Sequence, residues 1–433
     1  MKKSDLYPSF LERLYLVVVL TIFGGIVLHA PLSVFLGTLL PDYAEFIKAW
    51  KEILMLLLIP VAIVVATRRR LWASLFSDWV FHIVLAYTAL HLATVGLLYQ
   101  GAAATAAGLA IDLRYVLFFA LVYVLIRSRP ELRRLFVTVG IVGASIVTGF
   151  ATLQLFLPAD FLRHIGYGPN TIMPYMTVDE NHDYIRISST LRGPNPLGAY
   201  AGVVLALITA AFVRGKFAAR SRRLQIGVAL LVACSLIALW FNYSRSALVA
   251  GLGMIGLVFA LTKLRQPTRR AWLVGGIVSI CLVAGLALSW NSSFVSNVIL
   301  HDNPTSGAAV TSNDGHVDSL REGTIRLIEQ PLGAGVGSTG SASLQGEAPI
   351  IIENQYLFVA HETGWIGLAL FLLLFSLIMV RLWRARQDWL ALGIFASGVG
   401  LAAIGVLLPV WVDDTVSIIW WGLAAVALAG RRS

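Results

Sequence analysis

The feature that most constrains this chain is a series of apolar runs that recurs from one end to the other, each about as long as a bilayer is thick. A helix needs about 20 consecutive apolar residues to cross the hydrocarbon core. Only 13% of the residues are charged, whereas a soluble domain carries roughly 25%. We therefore predict an all-α polytopic membrane protein that forms a single integral membrane domain over residues 1–433.

A sliding hydropathy reading divides the chain into about twelve spans. The span over 104–126 contains two charged residues, Asp112 and Arg114. The predicted spans are 14–40, 50–66, 79–98, 104–126, 135–157, 195–213, 224–242, 246–262, 271–289, 356–380, 389–408 and 415–429.

Lysine and arginine are concentrated at every second junction between these spans. Cytoplasmic loops of membrane proteins carry an excess of these residues, so we predict that the clusters and both termini are cytoplasmic. The clusters supply most of the net charge of +10. Their role in topology and their attraction to anionic membrane lipids explain them better than nucleic-acid binding does. They are Lys2–Lys3, Arg68–Arg70, Arg127–Arg134, Arg214–Arg223, Lys263–Arg270, Arg381–Arg386 and Arg431–Arg432.

Two long polar stretches, 158–193 and 291–355, interrupt the apolar rhythm on the opposite, external side. Connections of this length are usually functional or disordered. In the second loop, 311–315 reads as a turn and Ser319–Glu322 has the form of a helix-capping box. We predict that a short amphipathic helix follows it, lies on the membrane or over the bundle, and ends before Pro331.

A glycine-rich segment, 331–340, comes directly after this predicted helix. Glycines let the backbone approach a ligand closely, but the segment lacks the G-K-[ST] ending of a phosphate-binding P-loop. A tight turn between a helix and a loop is an equally good interpretation.

The external side is poor in arginine, yet three arginines lie where inward-running helices are predicted to begin. Arg186 and Arg192 precede a helix that we expect Asn195 to cap, and Arg245 opens another. Helix N-termini offer unpaired N–H groups and the positive end of the helix dipole. Guanidinium groups beside them would suit phosphate oxygens. The structural alternative is that these side chains only reach up to the membrane surface.

A third inward helix is predicted to begin near Glu353, which follows an apolar run. A carboxylate held at the membrane surface can act as a general base toward a hydroxyl. Simple capping of the helix by an acidic residue is the alternative interpretation.

Two groups of acidic residues and histidines in the long loops raise the question of a metal. Neither has a definite metal-ligand spacing, so we interpret both as solvated loop residues and predict no metal site. His316 could in addition contact a substrate. The groups are Asp179, Glu180, His182 and Asp183 in the first loop, and Asp314, His316 and Asp318 in the second.

Three passages in this order resemble the O-antigen ligase and polymerase superfamily, the Wzy-type and WaaL-type enzymes. Arg186–Pro196 is similar to the family's arginine-led segment that ends in P-N. Ser244–Ala247 is similar to its S-R-S-A segment. Pro331–Gly340, Glu353–Leu357 and Glu362–Gly367 together resemble its large-loop signature. The resemblance covers roughly Arg186 to Leu370.

The resemblance implies a GT-C-like helical fold and metal-independent, inverting glycosyl transfer at the periplasmic face of a bacterial inner membrane, without a cofactor. It assigns Arg186 and Arg245 to the diphosphate of an undecaprenyl-diphosphate-linked glycan. Glu353 occupies the place where ligases carry a histidine base, which is more in keeping with polymerase-like members.

The leading hypothesis is therefore a polysaccharide or O-antigen polymerase in which Arg186, Arg245 and Glu353 are catalytic. A ligase that moves the glycan onto lipid A-core or another acceptor is the close alternative, and a transporter of an anionic lipid-linked substrate is the alternative from another class. Expected partners are the glycan donor, a glycan or lipid-linked acceptor, membrane lipids and, for a polymerase, a chain-length regulator. Substrate contacts are predicted for Arg186, Arg192, Asn195, Ser244, Arg245, His316, Arg321, Asn354 and Tyr356.

Overall fold

A computed structural model of the chain describes residues 9–217, 221–263, 292–293, 295–300, 312–346 and 349–429. Most of these residues are helical. Within the described ranges, nine helices are long and apolar enough to cross a membrane, and two shorter apolar helices follow them. The protein is thus a helical, multi-pass membrane protein by length and composition.

The helices follow the apolar runs of the sequence closely. The predicted span 271–289 lies outside the described residues. The α-helices are α1 Phe10–Gly25, α2 His29–Leu39, α3 Ala44–Lys48, α4 Trp50–Arg68, α5 Trp72–Phe76, α6 Trp79–Leu97, α7 Ala102–Ser128, α8 Arg133–Gln154, α9 Pro194–Val213, α10 Arg222–Phe241, α11 Arg245–Lys263, α12 Ser312–Glu329, α13 Gly340–Ser343, α14 Gln355–Arg384, α15 Trp389–Ile404 and α16 Asp414–Ala429.

The centre of the bundle is α16, which is buried along nearly its whole length. A helix that is apolar all round is one that other helices surround. It packs chiefly against α7, where Gly422 leaves room for the ring of Phe118. Trp420 and Trp421 are fully buried and make tilted and edge-to-face ring contacts with Trp411 just before the helix. This core anchors the loop that precedes α16.

A buried network of charges lies where α2, α4, α7 and α16 meet. Asp414 pairs with Arg114, with Lys51 at 2.9 Å and with His29 at 2.8 Å. Glu52 lies 3.2 Å from Lys51 and 3.5 Å from Arg114. The two cations are therefore matched by two carboxylates, which explains how the continuous helix α7 carries Arg114 inside the bundle.

The first long loop contains a short stretch of β-structure that the sequence analysis did not predict. It contains an antiparallel hairpin of β1 (Met176–Val178) and β2 (Asn181–Arg186). Asp179 and Glu180 form its turn, and both have positive φ. Asp residues tolerate this left-handed conformation. The described chain is otherwise mostly helical, as predicted, and the hairpin carries Arg186 at its end.

The second long loop contains α12, which begins earlier than predicted. Ser312–Gly315 belong to the first turn of this helix, so the prediction of a turn at 311–315 is wrong for its described part. The capping box predicted at Ser319–Glu322 is also wrong, because these residues lie inside the helix. The helix does end just before Pro331, and it packs over the start of α14, where Gly323 lies against Leu357.

The glycine-rich segment 331–340 is a backbone clamp between α7 and α14. Gly333, Gly335 and Gly337 have positive φ, and a Cβ at any of them would collide with neighbouring backbone. The N–H of Gly337 donates to the buried carboxylate of Glu362 at 3.0 Å. Of the two interpretations of this segment, the structure favours the tight turn, because the contacts are made with protein backbone.

Candidate functional site

A cavity of about 700 Å³ lies between the starts of α9 and α11, the helix α12 and the end of α15. One wall is cationic and polar, and the other is apolar. The polar lining is Arg186, Asn195, Tyr243, Ser244, Arg245, Ser246, Asn313 and His316. The apolar lining is Val249, Ala250, Val317, Leu320, Ala403, Leu407 and Leu408.

Arg186 is held in this cavity by two neutral acceptors. Its Nε donates to the backbone carbonyl of Asn242 at 2.8 Å, and its Nη2 donates to Oδ1 of Asn195 at 2.6 Å. The helix α9 begins at Pro194 with Gly193 as its N-cap. The prediction that Asn195 caps this helix is therefore wrong, because its side chain bonds to the arginine instead of to its own backbone.

Arg245 is the first residue of α11. The carbonyl of Ser244 accepts the first helical hydrogen bond, from the N–H of Leu248 at 2.9 Å, so Ser244 is the N-cap residue. The guanidinium of Arg245 donates to Oδ1 of Asn313 on α12 at 2.7 Å and to the carbonyl of Ile299 at 3.2 Å. The positive end of the α11 dipole and this guanidinium thus act at the same place.

The electrostatics of the cavity favour an anion. Burial lowers the pKa of Arg186 from its ordinary value to about 10, the Asp179 carboxylate acts in the opposite direction, and Arg245 lowers it further. Arg186 therefore remains a cation at neutral pH. Charge repulsion between the two guanidinium groups and their partial desolvation are both relieved when an anion binds between them.

Glu353 lies just before α14 and contacts α12. Its Oε2 is 2.6 Å from Nδ1 of His316, and its backbone N–H donates to Oγ of Ser319 at 2.9 Å. The two side chains are adjacent, but their geometry is not that of a hydrogen bond to Nδ1. His316 lines the cavity, whereas Glu353 is not among the described residues that line it.

Other predicted site residues lie outside the cavity lining. Asn354 caps α14, accepting from Tyr356 N at 2.8 Å, and Tyr356 donates its hydroxyl to the carbonyl of Ala402 at 2.8 Å. Arg321 is exposed on α12. Arg192 is exposed, and it lies near Asp413 beside the buried network. Burial raises the pKa of Asp413, and the positive charge of Arg192 acts in the opposite direction.

The acidic and histidine groups considered for a metal lie on the hairpin of the first long loop and on α12 of the second. Asp179 and Glu180 turn the hairpin, while His182 and Asp183 are exposed on β2. Over the described ranges of the chain, the structure has no group of three or more His, Cys, Asp or Glu side chains that could hold a metal ion.

Sequence reasoning missed three residues that shape the site. Asn242 is fully buried, donates to the carbonyls that end α10 and accepts from Ser244 N at 2.8 Å. An asparagine just after an apolar helix was an available signal for such a turn. Asn313 and Ser319 carried no comparable signal, because their roles depend on where α12 packs.

A search of curated proteins gave no match to this chain. One family model, Wzy_C, described as O-antigen ligase, matches residues 230–372. The matched segment contains Arg245, His316 and Glu353 but not Arg186. The resemblance to the O-antigen ligase and polymerase superfamily is therefore confirmed over residues 230–372, about a third of the chain.

Proposed function

We propose that the protein is a glycosyltransferase that moves a glycan from undecaprenyl diphosphate onto a sugar hydroxyl and so extends a polysaccharide. The observation that carries this proposal is the cavity that both arginines line: Arg186 from the end of β2, bonded to Asn195 in the first turn of α9, and Arg245 from the start of α11. His316, adjacent to Glu353, lines the same cavity from α12. The match to the O-antigen ligase family model supports the same reaction class.

The arginine wall supplies the donor end of the site. Neutral amide and carbonyl oxygens hold Arg186, and Arg245 donates to an amide oxygen of α12. Phosphate oxygens can replace such acceptors with stronger, charge-assisted bonds. During glycosyl transfer, negative charge develops on the leaving diphosphate. Fixed cations and helix N-termini at that position stabilise the transition state, which is why we propose a metal-independent reaction.

The apolar wall explains how a lipid-linked donor would reach these arginines. Val249 and Ala250 lie about one turn beyond Arg245 on α11, and Leu407 and Leu408, which follow α15, line the same cavity. Apolar side chains at this place favour a hydrocarbon chain that continues from the diphosphate into the bilayer. A ligand with a doubly charged head and a polyprenyl tail fits both walls.

The acceptor end is supplied by Glu353 and its neighbour His316. The catalytic base removes the proton from the acceptor hydroxyl as the hydroxyl oxygen attacks the anomeric carbon on the face opposite the diphosphate. This is an inverting displacement in a GT-C-like fold. From the positive-inside distribution of lysine and arginine, we place the cavity on the periplasmic side of the inner membrane, with both termini cytoplasmic.

A ligase is the second candidate, and the description of the matching family as O-antigen ligase favours it. The donor end of the site would be unchanged, and only the acceptor would differ. Transport of the same lipid is a weaker explanation, because a transporter binds substrate near the bilayer midplane and needs no general base at a helix start.

Reconstitution tests the proposal. Purified protein in lipid nanodiscs is supplied with an undecaprenyl-diphosphate oligosaccharide and, separately, with a lipid-linked oligosaccharide or lipid A-core as acceptor. We expect longer lipid-linked glycans and released undecaprenyl diphosphate. Arg245→Ala is expected to reduce turnover by about 100-fold or more, the effect of removing one transition-state donor.

The matched control is Arg163→Ala, since Arg163 is an exposed arginine in the first long loop that does not line the cavity. Its activity should equal that of the wild type. Glycan found only on lipid A-core would replace the polymerase by the ligase. No transfer to any acceptor by well-folded protein would overturn the proposed function.

A further inference from the structure

One face of the helix α12 contacts both the donor end and the acceptor end of the proposed site. Asn313, His316, Val317 and Leu320 line the cavity, and their spacing of three and four residues puts them on one side of a helix. Asn313 contacts Arg245, and His316 contacts Glu353. One rigid element therefore sets the distance between the donor arginines and the basic pair.

Of the basic pair, the histidine is the member that reaches the cavity. The side chain of His316 is 25% exposed and lines it, while Glu353 lies on the Nδ1 side of the imidazole ring. With Nδ1 against a carboxylate, the remaining ring nitrogen, Nε2, is the one left for an acceptor hydroxyl. We infer, on the basis of the proposed function, that His316 is the catalytic base and that Glu353 is its positioning residue.

The chemistry favours this division of roles. A general base works best when its pKa is near the working pH, and imidazole meets this condition better than a carboxylate does. A carboxylate on Nδ1 selects the tautomer whose Nε2 carries a lone pair, and it stabilises the imidazolium that forms. The contact between His316 and Glu353 is of the kind that tightens when substrate binds.

The transfer breaks two bonds and forms two. The acceptor O–H bond breaks and its proton goes to Nε2 of His316. The hydroxyl oxygen forms a bond to the anomeric carbon, and the bond from that carbon to the diphosphate oxygen breaks. The electron pair leaves with the diphosphate, whose charge is held by Arg186 and Arg245. The imidazolium later gives its proton to water.

A pH profile of turnover distinguishes the two possible bases. Charged groups around His316 are Glu353 before α14, the two cavity arginines, and Asp314 and Asp318 on its own helix. The wild-type rate should rise with pH through the imidazole pKa. His316→Gln should lower turnover about 100-fold or more and abolish that rise.

The second variant, Glu353→Gln, should keep the rise of turnover with pH but lower turnover itself, because the imidazole ring loses the carboxylate that positions it. Added imidazole should restore part of the activity of His316→Ala. His164→Ala, which removes an exposed histidine outside the cavity, is the control and should behave as wild type.

Donor affinity and folding are measured on the same variants. His316→Gln should bind undecaprenyl diphosphate within about twofold of the wild type and elute normally in size-exclusion chromatography. Active His316→Gln with an unchanged pH profile, or loss of the profile only in Glu353→Gln, would overturn the inference while leaving the proposed function intact. A wild-type protein without any transfer activity would overturn the proposed function instead.

Discussion

Arg114 in the buried network and Arg186 at the cavity are both held inside the protein, but their bonding partners are of opposite kinds. Arg114 lies inside the bundle together with Lys51, and the carboxylates of Asp414 and Glu52 form ion pairs with these two cations. At the cavity, the guanidinium groups of Arg186 and Arg245 donate to amide and carbonyl oxygens. Among the described residues, Asp179 is the carboxylate whose charge acts on both.

The difference separates structural charge from functional charge. A buried cation with matched carboxylates has its desolvation cost offset within the protein, and it has nothing left to offer a ligand. A cation held by neutral oxygens keeps most of its field, so an anion that replaces those oxygens gains a strong interaction. By this criterion the network around Arg114 holds helices together, whereas Arg186 is available to the anion that we propose the cavity binds.

The largest expected effect is a loss of stability when one carboxylate is removed from the buried charge network. Asp414→Asn leaves two buried cations with one carboxylate, and breaking a buried pair in this way costs roughly 3–5 kcal/mol. We therefore expect a large fall in the thermal unfolding temperature in detergent, measured by intrinsic tryptophan fluorescence. Any folded fraction should bind undecaprenyl diphosphate normally, and a loss of affinity without a loss of stability would reverse the roles assigned to the two regions.

At the cavity the expectation is the converse. Arg186→Ala removes one of the two guanidinium groups and should lower glycan transfer by roughly 100-fold, as loss of one charge-stabilising donor does. Its unfolding temperature should change little, because the bonds that it loses are made to exchangeable neutral acceptors. Equal destabilisation by Arg186→Ala and Asp414→Asn would remove the distinction.

How far the sequence predicted these regions depends on the range of the interactions. The helices were predictable because the length of an apolar run is a local property of the sequence. Arg186 and Arg245 could be recognised from short motifs that precede or open a helix. The network around Arg114 could not, because its members come from four helices far apart in the chain. The two charged residues in the apolar span 104–126 indicated that buried partners must exist, but the sequence could not identify those partners.

The corrections have the same origin. Asn195 has the sequence context of a helix cap, but Arg186 offers it a charge-assisted bond that outweighs the local one. Ser319 has the context of a capping box, yet α12 runs on through it and its hydroxyl accepts from Glu353. His316 and Glu353 are 37 positions apart in the chain, so only the packing of α12 over α14 brings them together.

The smallest expected effect concerns pH. Burial lowers the pKa of Arg186 only to about 10, so the group stays protonated between pH 6 and pH 8 and loses its charge only as the pH rises through 10. Donor affinity should therefore be constant over the neutral range, while turnover changes. A change in affinity that parallels turnover would show that the base, and not the arginine pair, controls binding.

The central claim is that the arginine cavity is the diphosphate site, and a binding measurement tests it most directly. Equilibrium binding of undecaprenyl diphosphate and of undecaprenol is compared for the wild type, Arg245→Ala and Arg163→Ala in nanodiscs. We predict that the wild type and Arg163→Ala prefer the diphosphate strongly and that Arg245→Ala loses about 100-fold of that preference. Equal preference for the diphosphate in all three proteins would contradict the account.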